Sequence, residues 1–174
     1  MVRLAGGCAA ALAGPAVCAA AADVAAALEP EGPIATEPLL AAALWDLDDR
    51  PLRWAALAGN QPLIVNFWAR WCAPCRVEIP ELVALTERRS DVKVIGLALE
   101  SDPAPLRDFA RAYDINYAVA LTRGGGLDLL RALGNRSAGL PFTLALNRRG
   151  AVVARRLGLL TREHLDLAVK KALA

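Results

Sequence analysis

Histidine is almost absent from this 174-residue chain, which contains only His164. A zinc site needs more ligands than one distant histidine and one cysteine pair supply. Covalent haem attachment needs a histidine directly after a Cys-x-x-Cys pair, and Arg76 stands at that position. These absences count against metal and haem chemistry, so we expect neither a metal ion nor another cofactor.

An excess of charge of one sign is also missing. The chain has 20 Lys and Arg against 18 Asp and Glu, a net charge of +2, and no basic run. Nucleic acid is therefore not an expected partner. With 56% hydrophobic residues and charges of both signs throughout, the composition is typical of a globular protein. The length suits one domain with a substantial core and is short for two.

Cysteine is scarce outside the first two dozen residues. Of the four cysteines, Cys8 and Cys18 lie near the start, and only Cys72 and Cys75 lie in the body of the chain. A single pair cannot form the dense disulfide framework of a small secreted scaffold. The pair must therefore be a single structural bridge, half of a metal site or a redox site.

The first 22 residues have the pattern of a secretory signal peptide. Arg3 precedes an uncharged stretch that runs from Leu4 and ends in four alanines at Ala22. We expect cleavage after Ala22, or as a second choice after Ala27. An uncleaved membrane anchor, or a lipid anchor on Cys8, is the alternative, and only then would the protein contact a membrane.

The part of the chain after the leader is predicted to be a linker followed by one domain. Residues 23–42 contain three prolines and a glycine and are predicted to form the linker. The domain is predicted to cover residues 43–174. It opens with a small hairpin, and its last helix is capped by Thr161. We expect His164 to face solvent from that helix.

The apolar pattern of the domain predicts an α/β fold. Residues 62–68 and 92–99 are predicted to be buried strands, each followed by a helix, so the two strands are parallel. A shorter helix follows, and residues 142–146 and 151–157 then form a predicted hairpin before the last helix. Helices must cover both faces of this mixed sheet. The prediction is a three-layer α/β/α sandwich with a central mixed β-sheet.

The cysteine pair stands where a buried strand passes into a helix. In that context a Cys-x-x-Cys pair indicates a redox site, although a structural bridge and a zinc site remain alternatives. Cys72 is expected at the helix N-terminus, where free N–H groups and the helix dipole stabilise a thiolate. Cys75 follows one turn later. We therefore expect Cys72 to be the exposed nucleophile and Cys75 the buried resolving thiol.

Two separate segments resemble one known family. The segment from Val65 to Leu82 resembles the active-site segment of the TlpA/ResA/CcmG group of thioredoxin-like reductases. The segment from Gly139 to Leu144 resembles the cis-proline loop and following strand of that family. The resemblance covers about residues 43–173, in the same order and spacing, and it implies a thioredoxin-like fold.

The resemblance also implies a substrate-binding surface around the cysteines. Pro141 would follow a cis peptide after Leu140, and its loop would pack beside Cys72 and offer backbone groups to an extended substrate. A proline at the start of a strand supports this, although an ordinary trans proline is the alternative. Trp71 is expected to be partly exposed beside the nucleophile. The residues expected to contact the substrate are Trp71, Ala73, Pro74, Leu140 and Pro141.

Glu78 matches an acidic residue in the active-site segment of the family. Thioredoxins proper carry a buried acid on the preceding strand, where this chain, like the group it resembles, has Asn66. An amide cannot accept the proton of Cys75, so Glu78 is the nearest candidate acceptor. The alternative is that Glu78 only complements the helix dipole. The expected catalytic residues are Cys72, Cys75 and Glu78.

The resemblance implies a reductase that acts outside the cytoplasm, in the periplasm or a comparable space. Its implied clients are proteins with disulfides, often apocytochromes c awaiting haem, and its implied electron donor is a membrane thiol carrier. Three other functions stay open. An oxidase or isomerase would run the exchange in the opposite direction. A peroxiredoxin-type peroxidase would have Thr where Ala69 stands. A copper-binding module would need a wider cysteine spacing and another histidine.

Overall fold

The computed structural model describes Leu28 and residues 33–174. The predicted signal peptide, together with Cys8 and Cys18, lies outside the described residues. Within the described part, none of the helices combines the length and the apolar character that crossing a bilayer requires.

The described residues form seven strands and six α-helices. The strands are β1 (Leu44–Trp45), β2 (Pro51–Leu52), β3 (Leu63–Trp68), β4 (Lys93–Ala98), β5 (Ala118–Leu121), β6 (Phe142–Leu146) and β7 (Val152–Leu157). The α-helices are α1 (Glu37–Leu40), α2 (Trp54–Ala58), α3 (Ala73–Arg88), α4 (Pro103–Ala112), α5 (Gly126–Ala132) and α6 (Arg162–Leu173). A 3₁₀ turn at Arg123–Gly125 leads into α5.

The strands make one mixed sheet with the order β2-β1-β5-β4-β3-β6-β7. β3, β4 and β5 run parallel, whereas β6 is antiparallel to both β3 and β7. The predicted parallel pair is β3 with β4, and the predicted terminal hairpin is β6 with β7, so both are confirmed. Gly150, in the turn of that hairpin, has φ of +78°, which an L side chain rarely adopts. The predicted first hairpin is β1 with β2.

Helices cover both faces of the sheet, which confirms the predicted three-layer sandwich. We call the face under α3, α4 and α6 the disulfide face, because Cys72 and Cys75 belong to its core. We call the face under α1, α2 and α5 the apolar face. Side chains alternate along a strand, so β3 sends Ile64 and Trp68 to the first face and Val65 to the second.

Part of the predicted linker belongs to the folded domain, so the linker predicted for residues 23–42 is too long. α1 lies inside it, with Pro38 in its first turn and Leu39 fully buried on the apolar face. A proline is compatible with the first turn of a helix, and it is therefore a poor sign of a linker. Leu28 is also buried, and its carbonyl accepts a hydrogen bond from the backbone N–H of Arg155 on β7 at 3.0 Å.

Candidate active site

A disulfide joins Cys72 and Cys75 at the start of α3. β3 ends at Trp68, and a short loop brings the chain to Cys72, which caps α3 with an extended backbone. The Sγ of Cys72 accepts a hydrogen bond from the backbone N–H of Cys75 at 3.3 Å. The parallel strand therefore delivers the cysteine pair to a helix N-terminus, where N–H groups stabilise negative charge on sulfur.

The exposure of the two cysteines differs less than the sequence predicts. Cys75 is fully buried, as expected, but Cys72 is only 5% exposed. The prediction that Cys72 is exposed is wrong for this disulfide-bonded form, because its sulfur is bonded to a buried partner and packs in the core of the disulfide face. Cys72 is still the more accessible residue of the two.

The surface beside the disulfide carries the residues predicted to contact substrate. Trp71 is 68% exposed, and Ala73 and Pro74 are exposed as well. The peptide between Leu140 and Pro141 is cis, which confirms that part of the prediction. Pro141 itself is buried, and Leu140 is partly buried against the core that contains both cysteines. Their role in substrate binding remains a prediction.

The loop between β7 and α6 is hydrogen-bonded to the cis-proline loop. The backbone N–H of Gly158 donates to the carbonyl of Pro141 at 2.8 Å. Two residues later, the backbone N–H of Leu160 donates to Oε2 of Glu78 at 2.9 Å. The loop between β7 and α6 therefore touches both the cis-proline loop and the acidic residue on α3.

Glu78 lies in the interior, one helical turn after Cys75. It is 1% exposed, and its Oε1 accepts a hydrogen bond from Nδ2 of Asn66 at 2.6 Å. Burial raises the pKa of Glu78 to about 7, against the opposing effects of its bonds from Leu160 and Asn66 and the positive charge of Arg156. A carboxyl group with this pKa can both take up and release a proton near neutral pH.

Residues three apart on a helix are neighbours, so Glu78 and Cys75 lie on the same side of α3. Both are buried in the layer between α3 and the sheet. The structure therefore brings the three predicted catalytic residues together on the first turns of one helix. Glu78 lies beyond the first turn of α3, which contains no acidic residue, so the alternative that it only complements the helix dipole is not supported.

Glu100 is a site residue that the sequence did not predict. Its Oε1 accepts the backbone N–H of Arg70 at 2.8 Å and lies 3.2 Å from Nε of the same arginine. Burial raises the pKa of Glu100, although both contacts with Arg70 oppose this. Glu100 follows β4, and the parallel strands β3 and β4 end at the same edge of the sheet. This is the sequence signal that could have placed Glu100 near the loop after β3. The carboxylate anchors the loop that leads to Cys72.

His164 is buried, at 8% exposure, so its predicted position in solvent is wrong. It occupies the third position of α6 and forms a capping box with Thr161. Nδ1 of His164 lies 2.6 Å from the Thr161 hydroxyl and accepts the backbone N–H of Thr161 at 3.3 Å. Burial and the charge of Arg156 lower the pKa of His164, partly offset by Glu163.

Among Leu28 and residues 33–174 there is no group of three or more His, Cys, Asp or Glu side chains that could hold a metal ion. The disulfide face instead offers a sulfur pair, a buried carboxyl group and an exposed tryptophan. This set is suited to thiol–disulfide exchange, which needs a thiolate, a second thiol and a proton acceptor.

Comparisons with known proteins cover the same part of the chain. The sequence model of the Redoxin family matches residues 34–172. Thiol-disulfide oxidoreductase ResA of Bacillus cereus is 29% identical over 129 residues, which cover 72% of this chain and 71% of the relative. Thiol:disulfide interchange protein HelX of Rhodobacter capsulatus is 30% identical over 127 residues, covering 72% and 69%. A solved structure, the thioredoxin-related protein from Neisseria meningitidis serogroup B, matches with a TM-score of 0.65 at 27% identity, over 74% of this chain and 97% of that one.

Proposed function

The chain belongs to the Redoxin family and to the TlpA/ResA/CcmG-like group of the thioredoxin superfamily, and we propose that it is a protein-disulfide reductase acting outside the cytoplasm. The observation that carries the proposal is the Cys72–Cys75 disulfide at the N-terminus of α3, one turn before the buried Glu78. The Cys72–Cys75 disulfide is the form of the enzyme left after the client has been reduced. The same pair with two free thiols is the form that donates electrons.

The first step is the attack of the Cys72 thiolate on a disulfide of the client. A bond forms between Sγ of Cys72 and one client sulfur, and the other client sulfur leaves as a thiolate. The free N–H groups at the N-terminus of α3 favour the thiolate form of Cys72 over the thiol.

The second step resolves the mixed disulfide. Cys75 loses its proton, and its sulfur attacks Sγ of Cys72, so that the Cys72–Cys75 disulfide forms and the second client thiolate leaves. Two electrons thus pass from the dithiol to the client. Glu78 is the proposed acceptor of the Cys75 proton, since it lies one turn away and has a pKa of about 7.

The client would dock on the surface beside the disulfide. Trp71 offers a large exposed ring, and Ala73 and Pro74 leave the approach to Cys72 free of long side chains. The loop at Leu140 and Pro141 would supply backbone groups to an extended client segment. Apocytochromes c awaiting haem are the clients that we propose, and a membrane thiol carrier would reduce the enzyme again.

The proposal of export rests on the leader, with Arg3 before an uncharged stretch that ends at Ala22. Disulfides persist in oxidising compartments, so a reductase of client disulfides has its substrates there. N-terminal sequencing of the protein from its host's cell envelope would test this, and an intact Met1 in the cytoplasmic fraction would contradict it.

The direction of exchange is tested by a redox titration of the purified protein in glutathione or dithiothreitol buffers. Fluorescence of Trp71, which lies beside the disulfide, reports the transition, and Cys72→Ser is the control that lacks it. We expect a midpoint of about −250 mV or lower, near that of thioredoxin. A midpoint of about −120 to −180 mV would identify an oxidase or isomerase instead.

A further inference from the structure

A line of polar residues crosses the disulfide face beneath Glu78. In the strand register Asn66 on β3 lies opposite Thr143 on β6, and Thr143 lies opposite Arg156 on β7. Directly opposed residues share one face of a sheet. Asn66 and Thr143 are 0% and 2% exposed, so both side chains need hydrogen-bond partners inside the protein.

Asn66 places its NH₂ group between two acceptors. Nδ2 donates to Oε1 of Glu78 at 2.6 Å and to the hydroxyl oxygen of Thr143 at 3.0 Å. Oδ1 of Asn66 is buried and has no hydrogen-bond partner among the described residues. The amide makes two donor bonds and leaves its acceptor unpaired, an orientation that suits Glu78 because an ionised carboxylate can only accept.

We propose that Asn66 and Thr143 are positioning residues for Glu78: Asn66 holds the carboxylate as an ionised proton acceptor, and Thr143 holds the Asn66 amide in place through a second hydrogen bond. This inference rests on the proposed function, in which Glu78 takes the proton of Cys75. It adds the two residues that decide whether Glu78 is free to do so.

The physical reason is the competition between burial and hydrogen bonding. Burial alone favours the protonated carboxyl group, and a protonated Glu78 could not accept a proton. Hydrogen bonds from N–H donors favour the ionised form. The backbone of Leu160 supplies one donor to Oε2, and Asn66 supplies the other to Oε1. If the amide turned over, its oxygen would face the carboxylate oxygen, and the repulsion between the two oxygens opposes that rotation, whereas the Thr143 hydroxyl can bond either end of the amide.

The charged or titratable groups near Glu78 lie on β7, before β5 and on α3 itself, and His164 on α6 interacts with one of them, Arg156. Arg156 on β7 lowers its pKa by its positive charge. Tyr117, just before β5, is buried, and both burial and the charge of Glu78 raise the pKa of its hydroxyl. Burial and the charge of Arg156 lower the pKa of His164 on α6, and Cys75 precedes Glu78 on α3. All four groups are retained in the variants below, so a change in titration belongs to Asn66 or Thr143.

The oxidised protein isolates the titration of Glu78, because disulfide-bonded cysteines do not titrate. We would follow the side-chain carboxyl carbons of ¹³C-labelled glutamate by NMR and assign Glu78 by the signal that Glu78→Gln removes. The expected wild-type midpoint is about pH 7. Asn66→Leu should raise that midpoint by about one to two pH units, the effect of losing a hydrogen bond to a charged group.

Thr143 supplies a matched pair of variants. Thr143→Val should raise the midpoint by less than Asn66→Leu does, whereas Thr143→Ser, which keeps the hydroxyl, should leave it at the wild-type value. Thr122→Val is the control for stability, since Thr122 is 3% exposed and its hydroxyl donates to the carbonyl of Ala98 at 3.1 Å, away from Glu78. It should lower stability without moving the Glu78 midpoint.

An unchanged Glu78 midpoint in Asn66→Leu would overturn the inference. If that variant does not fold, the comparison of Thr143→Val with Thr143→Ser decides in the same way. The rate of reduction of the disulfide by dithiothreitol, measured against pH in wild type and Glu78→Gln, tests the proposed function separately. The pH profile of reduction could depend on Glu78 while the Glu78 titration midpoint is the same in Asn66→Leu and wild type. That result would exclude the positioning role and would still support the proposed reductase function.

Discussion

The two faces of the central sheet differ in the polar side chains that they bury. On the disulfide face, Asn66, Glu78, Thr143 and His164 are all buried, at 8% exposure or less. The core of the apolar face consists of hydrophobic side chains such as those of Phe67 and Phe142, whose ring centroids lie 5.8 Å apart. Both faces exclude water, and Thr122 and Asn135 are buried beside α5, but the buried carboxyl group and the side chains bonded to it lie on the disulfide face.

Burying a polar group lowers stability unless a hydrogen bond replaces water. The disulfide face therefore bears the cost of burying a carboxyl group, and Asn66 and Thr143 lie beneath the helix that carries Cys72, Cys75 and Glu78. The two faces therefore differ in role. The apolar face mainly stabilises the fold, and the disulfide face carries the reactive groups, whose burial makes the fold less stable. Substitutions on the two faces should therefore have different consequences.

The largest expected effect is on the disulfide face, at Cys72. Cys72→Ser replaces the attacking sulfur with a hydroxyl that is not ionised near neutral pH, so client reduction should fall by a factor of about a thousand or more. Insulin reduction with dithiothreitol as the electron donor measures this. Activity within a few-fold of wild type would show that the disulfide is structural and would erase the chemical difference between the faces.

A cavity on the apolar face should lower stability and leave the rate of client reduction nearly unchanged. Leu130 on α5 is fully buried there, so Leu130→Ala should lower the free energy of unfolding by about 2–5 kcal/mol. The rate of reduction per folded molecule should stay within about twofold of wild type, since Leu130 packs in the core that excludes both cysteines. Urea unfolding supplies the first value. Leu40→Ala, at a residue of α1 that is 56% exposed, is the control and should unfold like wild type.

The stability of the disulfide face should depend on pH through Glu78. Its pKa is raised from the usual 4.5 to about 7, so between these values the folded protein holds a proton that the unfolded chain has released. The free energy of unfolding should therefore fall as pH rises through this range, by up to about 3 kcal/mol in total. Urea titrations of the oxidised protein at pH 5 and pH 8 measure the change.

Glu78→Gln is the matched control for that pH dependence, because it keeps the shape of the side chain and cannot ionise. The difference in unfolding free energy between wild type and Glu78→Gln should change with pH in the direction just described. Other groups, including His164, titrate in both proteins and cancel from the difference. A difference that is constant from pH 5 to pH 8 would show that Glu78 has an ordinary pKa in the fold.

The smallest expected effect on stability is at Trp71. Because its side chain is 68% exposed, Trp71→Ala should change the free energy of unfolding by no more than about 0.5 kcal/mol. The Michaelis constant for a protein client should rise, while reduction of the small disulfide in oxidised glutathione stays near wild type. Trp68→Ala is the contrast, since Trp68 is fully buried and its loss should lower stability by about 3–5 kcal/mol. Equal client binding by Trp71→Ala and wild type would remove Trp71 from the docking surface.

The sequence predicted those parts of the site whose signals are local. The Cys72–Cys75 pair lies between a strand and a helix, and Pro141 begins a strand, so each carries its own short pattern. The order of the long strands and their parallel or antiparallel pairing followed from the same kind of signal. β5 has only four residues and was missed, because so short a run shows no period.

The contacts that define the environment of Glu78 have no such local signal. Its partner Asn66 bonds Thr143, 77 residues away along the chain, and its partner Leu160 is 82 residues away. Only the pairing of β3 with β6 and the return of the loop before α6 bring these groups together. The burial of His164 escaped prediction for a related reason, because a polar residue at the start of a helix usually faces solvent.

The most direct test of the account is to trap the mixed disulfide. Reduced Cys75→Ser protein would be mixed with insulin, and the adduct mapped by proteolysis and mass spectrometry without reductant. We expect a covalent adduct on Cys72, because this sulfur attacks first and the resolving thiol is missing. In residues 23–174, which contain no other cysteine, the double variant Cys72→Ser and Cys75→Ser should give no adduct. No adduct from Cys75→Ser, or an adduct on another cysteine while Cys72 stays free, would contradict the central claim that Cys72 is the nucleophile of a thiol–disulfide exchange.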